Sequence, residues 1–357
     1  MSTEPAEPAE DIVETRRAVR LVGFIALLVV LGYLLVGLAI DEDATMTRYG
    51  RATHEIQFVT LRAEAFDREE AYGDAPVVWI VGSSITRESF DADRIRYQLK
   101  RAGVDLGVEK YAFDRGAPVF AWAFLDRIDL RPGDHVVTTI GYDNFRGGWI
   151  DYHGNVAGHL HYLVPPSKLF RIESLRWADR LDYSLAHLPL RSFWQYRDTY
   201  RDGVQDWLYY YFDPTQDKRP EVLEEHPRQP FQNRNAIRGY ATNRRLETRN
   251  VLAVDDLQPQ PGQVNWDGLT WWTEEVRAAG ATPWVVYVPH NPLYFERFVD
   301  EATVRKFHDA VEPLDGFESL SQLPVDKFMD FRHPNPQGRA VMSQELAELL
   351  LAAEERP

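Results

Sequence analysis

The chain has 357 residues, which suffices for one large domain with an insertion or for two domains. Its 55 acidic and 40 basic side chains give a formal net charge of -15, which argues against nucleic acid as a partner. The absence of cysteine excludes disulfide bridges, thiol catalysis and a lipidated cysteine anchor.

The first 40 residues predict a membrane anchor. Residues 1–20 form a tail, and residues 21–40 are apolar and contain no charged side chain. A helix of that length spans roughly 30 Å of hydrocarbon. Arginines at positions 16, 17 and 20 precede it, so we expect a cytoplasmic amino terminus and a domain in the periplasm or outside the cell. A cleaved signal peptide is the alternative, although its apolar core is usually only about 7 to 15 residues long.

Residues 41–75 connect this segment to a folded domain that we predict over 76–357. Apolar residues occur at irregular helical spacing within 45–68. Two interpretations fit this pattern, a helix that packs on the domain and an extended stalk.

The domain begins with a buried strand. Residues 77–81 are all apolar, follow Pro76 and lead into Gly82-Ser83-Ser84. This pattern predicts a strand that is buried on both faces and ends in a tight turn, with a helix over 92–102 after it. Open α/β sheets bind ligands at the carboxyl ends of their strands, which makes Ser84 a candidate site residue. The alternative is that the two serines only cap the next helix.

The later part of the chain repeats this pattern. Predicted strands begin near Val77, Val108 and His135, a spacing typical of β-α-β units with parallel strands. The apolar periodicity predicts further helices over 117–128, 268–279, 295–311 and 336–354, and further strands over 284–288 and 327–329. The expected fold is α/β, with three α/β/α layers and a mostly parallel sheet.

An aromatic-rich insertion is predicted over 145–265, where the alternation of strands and helices stops. We expect helices over 169–187 and 190–211, followed by long loops. Because the insertion starts at the carboxyl edge of the sheet, it could form a cap or groove wall whose rings contact sugars or acyl chains. Equally, most of these rings could pack the insertion's own small core.

Other polar residues near this edge have two interpretations each. Three arginines either hold an anionic polymer or carboxylate or are simply solvated, namely Arg87, Arg115 and Arg146. Three histidines have a spacing that could suit a metal, namely His153, His159 and His161. Since no cluster of cysteine or glutamate accompanies them, we favour ordinary loop histidines and expect neither a metal nor a cofactor. The turn His290-Asn291-Pro292 follows a predicted strand, and we expect it to form a wall of the pocket.

A serine hydroxyl becomes a nucleophile only when a base and an orienting group accompany it. Residues 330–333 read Asp-Phe-Arg-His and supply both, directly before a predicted helix. At this spacing Asp330 can reach one imidazole nitrogen of His333 while the other nitrogen faces Ser84. The alternative for Asp330 is a surface ion pair with Arg332.

These motifs resemble those of the SGNH hydrolase superfamily, also called GDSL-like esterases, over residues 77–144 and 283–354. Gly82-Ser83-Ser84 is similar to the first motif, Gly116 fits the second, and the segment 330–333 is similar to the last. The third motif, usually Gly-x-Asn-Asp, reads Gly-Tyr-Asp-Asn here, so its two polar residues are exchanged, and Asp143 could replace or assist Asn144 or only fix the loop.

The resemblance implies an SGNH/flavodoxin-like fold and a set of site residues. It makes Ser84 the nucleophile, His333 the base and Asp330 the residue that orients the base. The N–H group of Gly116 and the amide of Asn144 would then stabilise the oxyanion, together with the N–H group of Ser84.

The Gly-Ser-Ser version of the first motif is most similar to membrane-anchored proteins that help D-alanylate teichoic acid or acetylate exopolysaccharides. The resemblance implies a membrane-anchored serine esterase or O-acyltransferase that acts on acyl groups of a cell-envelope polysaccharide, together with a multispanning acyltransferase partner. The alternative is a noncatalytic accessory protein that binds glycan or scaffolds such a complex.

Overall fold

The computed structural model describes residues 19–25, 27, 28, 31, 52–113, 116–147, 163–185 and 254–355. Among these residues, no helix combines the length and the apolar character that crossing a bilayer requires. Most of the predicted anchor, residues 26, 29, 30 and 32–40, lies outside the described part of the chain.

The core of the domain is a sheet of five strands in the order β2-β1-β3-β4-β5, and every neighbouring pair is parallel. The strands are β1 Val77–Gly82, β2 Gly107–Ala112, β3 His135–Ile140, β4 Thr282–Tyr287 and β5 Phe317–Ser319. All residues of β1 and β3 are buried, which explains the apolar run of β1, whereas β3 also buries the polar residues His135, Thr138 and Thr139. The prediction of an α/β fold with a mostly parallel sheet is confirmed.

Helices connect and cover these strands. They are α1 Ala52–Glu64, α2 Arg68–Tyr72, α3 Ser84–Ser89, α4 Ala92–Arg101, α5 Pro118–Phe124, α6 Pro166–Leu169, α7 Trp177–Leu185, α8 Val264–Ala278, α9 Pro292–Phe298, α10 Glu301–Val311 and α11 Pro336–Glu354. Short 3-10 helices cover Leu125–Arg127, Tyr142–Phe145, Val254–Asp256 and Val325–Lys327.

Side chains of β1 alternate between two apolar cores, one on each face of the sheet. Val77, Trp79 and Val81 belong to a core shared with α5, α8 and α10. Val78 and Ile80 belong to the other core, which α4 and α11 complete. The β1 strand is therefore enclosed from both sides, and its carboxyl end has a fixed position.

Helix α1 packs on the domain. Ile56, Val59 and Ala63 are buried in the same core as Trp79. The guanidinium of Arg62 lies over a ring of β2, 4.6 Å from the ring centroid of Tyr111. For residues 52–64 the structure thus supports the packed helix and not the stalk.

Two elements near the carboxyl end of the chain differ from the prediction. The strand predicted over 327–329 is wrong, because Val325–Lys327 is a 3-10 helix and Phe328 forms only an isolated bridge. The fifth strand is instead Phe317–Ser319, an edge strand whose mixed sequence lacks an apolar run. The helix predicted over 295–311 is two helices, since Asp300 caps a new helix through the N–H group of Thr303.

A buried ion pair fastens the amino-terminal edge of the sheet. The carboxylate of Asp134 is fully buried and accepts hydrogen bonds from both terminal nitrogens of Arg68, at 2.7 and 2.8 Å. It also accepts from the backbone N–H group of Val77 at 2.8 Å and from the indole of Trp79 at 3.0 Å. One carboxylate thus joins α2 to the starts of β1 and β3.

Replacing Asp134 by alanine should lower the free energy of unfolding by about 3 to 5 kcal/mol, because Arg68 would remain buried without its partner. Urea unfolding of the wild type and the variant measures this difference. Asp93→Ala is the control, since that carboxylate is 86% exposed in its pair with Arg96 and should change the free energy by less than about 1 kcal/mol. Equal stabilities of Asp134→Ala and the wild type would contradict this assignment.

Candidate active site

The turn after β1 separates the roles of its two serines. Ser83 is the N-cap of α3, where its hydroxyl accepts from the N–H group of Ile85 at 3.1 Å. The hydroxyl of Thr86 accepts in return from the N–H group of Ser83 at 2.9 Å, which completes a capping box. Ser84 is the first residue of the helix, and its hydroxyl is free of the capping role.

Ser84, His333 and Asp330 form a continuous chain of hydrogen bonds. The Nε2 atom of His333 lies 3.0 Å from the Oγ atom of Ser84, although the two residues are 249 positions apart in sequence. The Nδ1 atom of His333 lies 2.8 Å from the Oδ2 atom of Asp330. This is the arrangement in which an imidazole accepts a proton from a hydroxyl while a carboxylate fixes its tautomer.

The second oxygen of Asp330 organises the loop itself. Its Oδ1 atom accepts from the backbone N–H groups of Arg332 at 2.7 Å and His333 at 2.8 Å. Burial raises the pKa of Asp330, but the hydrogen bonds from the ring and backbone of His333 outweigh this effect and hold the pKa below its usual value. Asp330 is therefore a carboxylate at neutral pH and keeps the proton of the imidazole on Nδ1.

Asn144 follows β3, and its side chain has a defined orientation. Its Oδ1 atom accepts from the N–H group of Gly141 at 2.8 Å, so its NH2 group points away from that contact. Its backbone oxygen accepts from the Nδ2 atom of Asn265 at 2.6 Å, which fixes the loop on the start of α8. Among the described residues, none accepts a hydrogen bond from the NH2 group of Asn144 or from the N–H group of Ser84.

Gly116 lies against the turn that holds Ser84. A β-carbon at this position would lie 2.4 Å from the backbone oxygen of Gly82 and 2.9 Å from the Cα atom of Ser83, so only glycine fits. Its N–H group donates to the oxygen of Phe113 at 3.1 Å. The structure therefore places Gly116 beside the nucleophile candidate, with its proposed oxyanion donor engaged in a turn.

Asp143 contacts a different set of residues from Asn144. Its Oδ2 atom lies 2.7 Å from the guanidinium of Arg332, and its Oδ1 atom accepts from the hydroxyl of Tyr294 at 3.3 Å. Arg332 therefore pairs with Asp143, whereas Asp330 pairs with His333. The surface ion pair between Asp330 and Arg332, which was the alternative from the sequence, does not form.

His290 lies beneath this loop and does not face an open pocket. It is 1% exposed, and its ring packs on that of Tyr294, with centroids 4.8 Å apart. A β-carbon at Gly141 would lie 3.1 Å from its Cε1 atom. Neither of its ring nitrogens has a hydrogen-bond partner in the described structure. Burial lowers the pKa of His290 to about 4, so the ring is neutral near His333.

Asn291 belongs to the turn that we expected to form a wall of the pocket, but the sequence did not reveal its contacts with the loop 330–331. Its N–H group donates to the oxygen of Phe331 at 3.1 Å, and its Nδ2 atom donates to the oxygen of Asp330 at 3.2 Å. An asparagine before Pro292 is typical of a helix cap, and its side chain indeed accepts from the N–H group of Leu293. Its second contact, to a loop some 40 positions later, leaves no local sequence signal.

The remaining candidates fall into two groups. Arg87 pairs with Glu88 at 3.2 Å, and Arg146 lies 3.9 Å from Asp256. Candidates outside the described residues are Arg115, His153, His159 and His161, together with the predicted helix 190–211. In the described ranges, no group of three acidic or histidine side chains has a geometry that could hold a metal ion.

Comparisons with known proteins found no protein-family model that matches the chain. They found no curated protein that matches it either.

Acidification should destabilise the protein through His290. Its folded-state pKa of about 4 lies below the ordinary 6.5, so between these values the unfolded chain binds a proton that the folded chain does not. Its contribution is complete above pH 6.5 and falls by about 2 to 3 kcal/mol as the pH drops from 7 to 4.5. Urea unfolding at both pH values should show a smaller pH dependence for His290→Phe than for the wild type. An equal dependence in both proteins would show that His290 is not buried as a neutral ring.

Proposed function

We propose that this chain is a membrane-anchored serine esterase or O-acyltransferase of the SGNH type that acts on acyl groups of a cell-envelope polysaccharide. The observation that carries the proposal is the chain of hydrogen bonds from Ser84 through His333 to Asp330. Ser84 follows β1, Asp330 and His333 precede α11, and the parallel sheet lies between two helical layers. The resemblance to SGNH hydrolases leads us to expect this arrangement.

In the proposed first step, the Oγ atom of Ser84 attacks the carbonyl carbon of an acyl ester while its proton passes to the Nε2 atom of His333. Asp330 stabilises the imidazolium that forms. The N–H group of Ser84 and the NH2 group of Asn144 donate to the oxyanion, and the N–H group of Gly116 would be a third donor only in place of its hydrogen bond to Phe113. His333 then gives its proton to the departing alcohol, which leaves the acyl group on Ser84.

In the second step, an acceptor hydroxyl attacks the acyl group on Ser84. His333 removes the proton from this acceptor and returns a proton to the Oγ atom when the bond to Ser84 breaks. Water as the acceptor makes the protein an esterase, and a sugar hydroxyl makes it a transferase. A multispanning acyltransferase would supply the acyl group in the second case.

The location that we propose rests on the apolar segment 21–40. Since α1 begins at Ala52 and packs on the domain, only residues 41–51 separate the anchor from the folded unit. At no more than about 3.5 Å per residue, this connection reaches roughly 40 Å. The domain would therefore stay close to the membrane surface, where envelope polymers and a membrane-embedded partner are accessible.

The second candidate function is a noncatalytic accessory protein that binds glycan or scaffolds an acyltransferase complex. The hydrogen bond from Gly116 to Phe113 favours this reading, because it occupies one of the oxyanion donors. The intact contacts among Ser84, His333 and Asp330 favour the enzyme more strongly, since a structural role does not require a serine hydroxyl at an imidazole nitrogen.

Ser84→Ala should abolish both the hydrolysis of p-nitrophenyl acetate and covalent labelling by a fluorophosphonate, with a loss of about 10³-fold or more in kcat/KM. The assay uses the full chain in detergent. Ser83→Ala is the matched control, since it removes a helix cap worth about 1 kcal/mol and should still be labelled. Labelling of Ser84→Ala at the wild-type rate would assign the nucleophile elsewhere, and an unreactive wild type would favour the accessory protein.

Asp330→Asn tests the role of the carboxylate. The variant keeps an oxygen for the backbone N–H groups of Arg332 and His333 but cannot accept the Nδ1 proton if its NH2 group faces the ring. The imidazole would then adopt the wrong tautomer, and we expect kcat to fall by about 10³- to 10⁴-fold while the protein stays folded. Steady-state kinetics and thermal unfolding measure both quantities, and a wild-type kcat would exclude the proposed role of Asp330.

A further inference from the structure

Arg332 stands between two residues of the hydrogen-bonded chain, but its side chain reaches a different loop. Its guanidinium lies 2.7 Å from the carboxylate of Asp143, the residue before Asn144. The guanidinium carbon lies 5.6 Å from the ring centroid of Tyr294, whose hydroxyl donates to the same carboxylate. Asp143, Arg332 and Tyr294 therefore join the loop after β3, the loop 330–333 and helix α9.

The ion pair of Arg332 and Asp143 is too exposed to solvent to contribute much to the stability of the fold. The side chains of Arg332 and Asp143 are 35% and 23% exposed, and ion pairs that are this accessible to solvent contribute little to the free energy of unfolding. Tyr294, by contrast, is 2% exposed and is fixed in the apolar core. The contact thus connects two partly exposed loops to a rigidly packed residue. Its main effect is to fix the relative position of the loops, and its contribution to the stability of the fold is small.

The other contacts of the loop 330–333 do not connect it to the loop that carries Asn144. Asn291 holds the backbone oxygens of Asp330 and Phe331, and the N–H group of Met329 donates to the oxygen of His333 at 2.8 Å. These bonds fix the start and the closure of the loop on the side of α9. Arg332 supplies a contact of the loop with the segment that carries Asn144.

We infer that Asp143 and Arg332 are positioning residues that hold the loop of His333 in register with the loop of Asn144. This inference rests on the proposed function, because the relative position of the two loops matters only if His333 and Asn144 act on the same carbonyl group. A displacement of about 1 Å between groups that act on one reacting centre can cost about 10²-fold in rate. Neither side chain needs to touch the substrate.

The test compares Asp143→Asn, Arg332→Gln and the double variant in the full chain in detergent. Each single variant should lower kcat for p-nitrophenyl acetate by about 10- to 100-fold and change KM by less than about 3-fold. Because the two side chains act as one unit, the double variant should be no slower than the slower single variant by more than about 3-fold. Arg332→Lys, which retains the charge, should recover part of the lost rate.

A matched control is the exposed pair of Arg305 with Glu301, 3.6 Å apart on α10. Arg305→Gln removes the same type of charge and should leave kcat and KM unchanged. Tyr294→Phe provides a milder change, because it removes the hydroxyl that donates to Asp143 and keeps the buried ring. Its kcat should fall by about 2- to 10-fold.

Several outcomes would overturn the inference. Folded single variants with a wild-type kcat would exclude a positioning role, as would a double variant whose loss equals the product of the single losses. If the Asn and Gln variants do not fold, a wild-type kcat for Tyr294→Phe overturns it. Fluorophosphonate labelling separates the two proposals: a wild type unlabelled at Ser84 rejects the proposed function and the inference together, whereas variants labelled at the wild-type rate reject the inference alone.

Discussion

The hydrogen bond between Ser84 and His333 requires two parts of the chain, 249 positions apart, to meet at one edge of the sheet. Ser84 is the first residue of α3, His333 lies three residues before the start of α11, and the two helices pack on the same face of the sheet. Arg339 of α11 donates to the backbone oxygen of Glu88 at 3.0 Å, and the hydroxyl of Ser343 accepts from the N–H group of Asp91 at 2.9 Å. The packing of α11 therefore determines the distance on which the proposed chemistry depends.

The amino-terminal and carboxyl-terminal ends of the parallel strands carry different kinds of polar contact. At the amino-terminal edge, Asp134 and Arg68 form a buried pair whose bonds fix the starts of two strands. At the carboxyl edge, the hydrogen-bonded pair of Asp330 and His333 is only partly buried, with side chains that are 32% and 25% exposed. The buried ion pair thus lies at the opposite end of the strands from the groups that the proposed chemistry requires to be reachable.

Local sequence patterns predicted the parts of the molecule that depend on apolar runs and capping residues. The strand β1 is buried throughout, so its apolar run is easily recognised, and Asn335 marks the start of α11. By contrast, β5 is a short edge strand with a mixed sequence. The contacts of Asn291 with 330–331 and of Arg332 with Asp143 join distant segments, and no local periodicity encodes them.

The capping box at the start of α3 determines which substitutions position 83 can tolerate. Because Ser83 satisfies the helix end, any residue with a short oxygen-bearing side chain can replace it, and aspartate, asparagine or threonine would serve the same purpose. Under the proposed function Ser84 would have no such freedom, since its hydroxyl is the group that faces the imidazole. Substitutions at position 83 would then be tolerated more readily than substitutions at position 84.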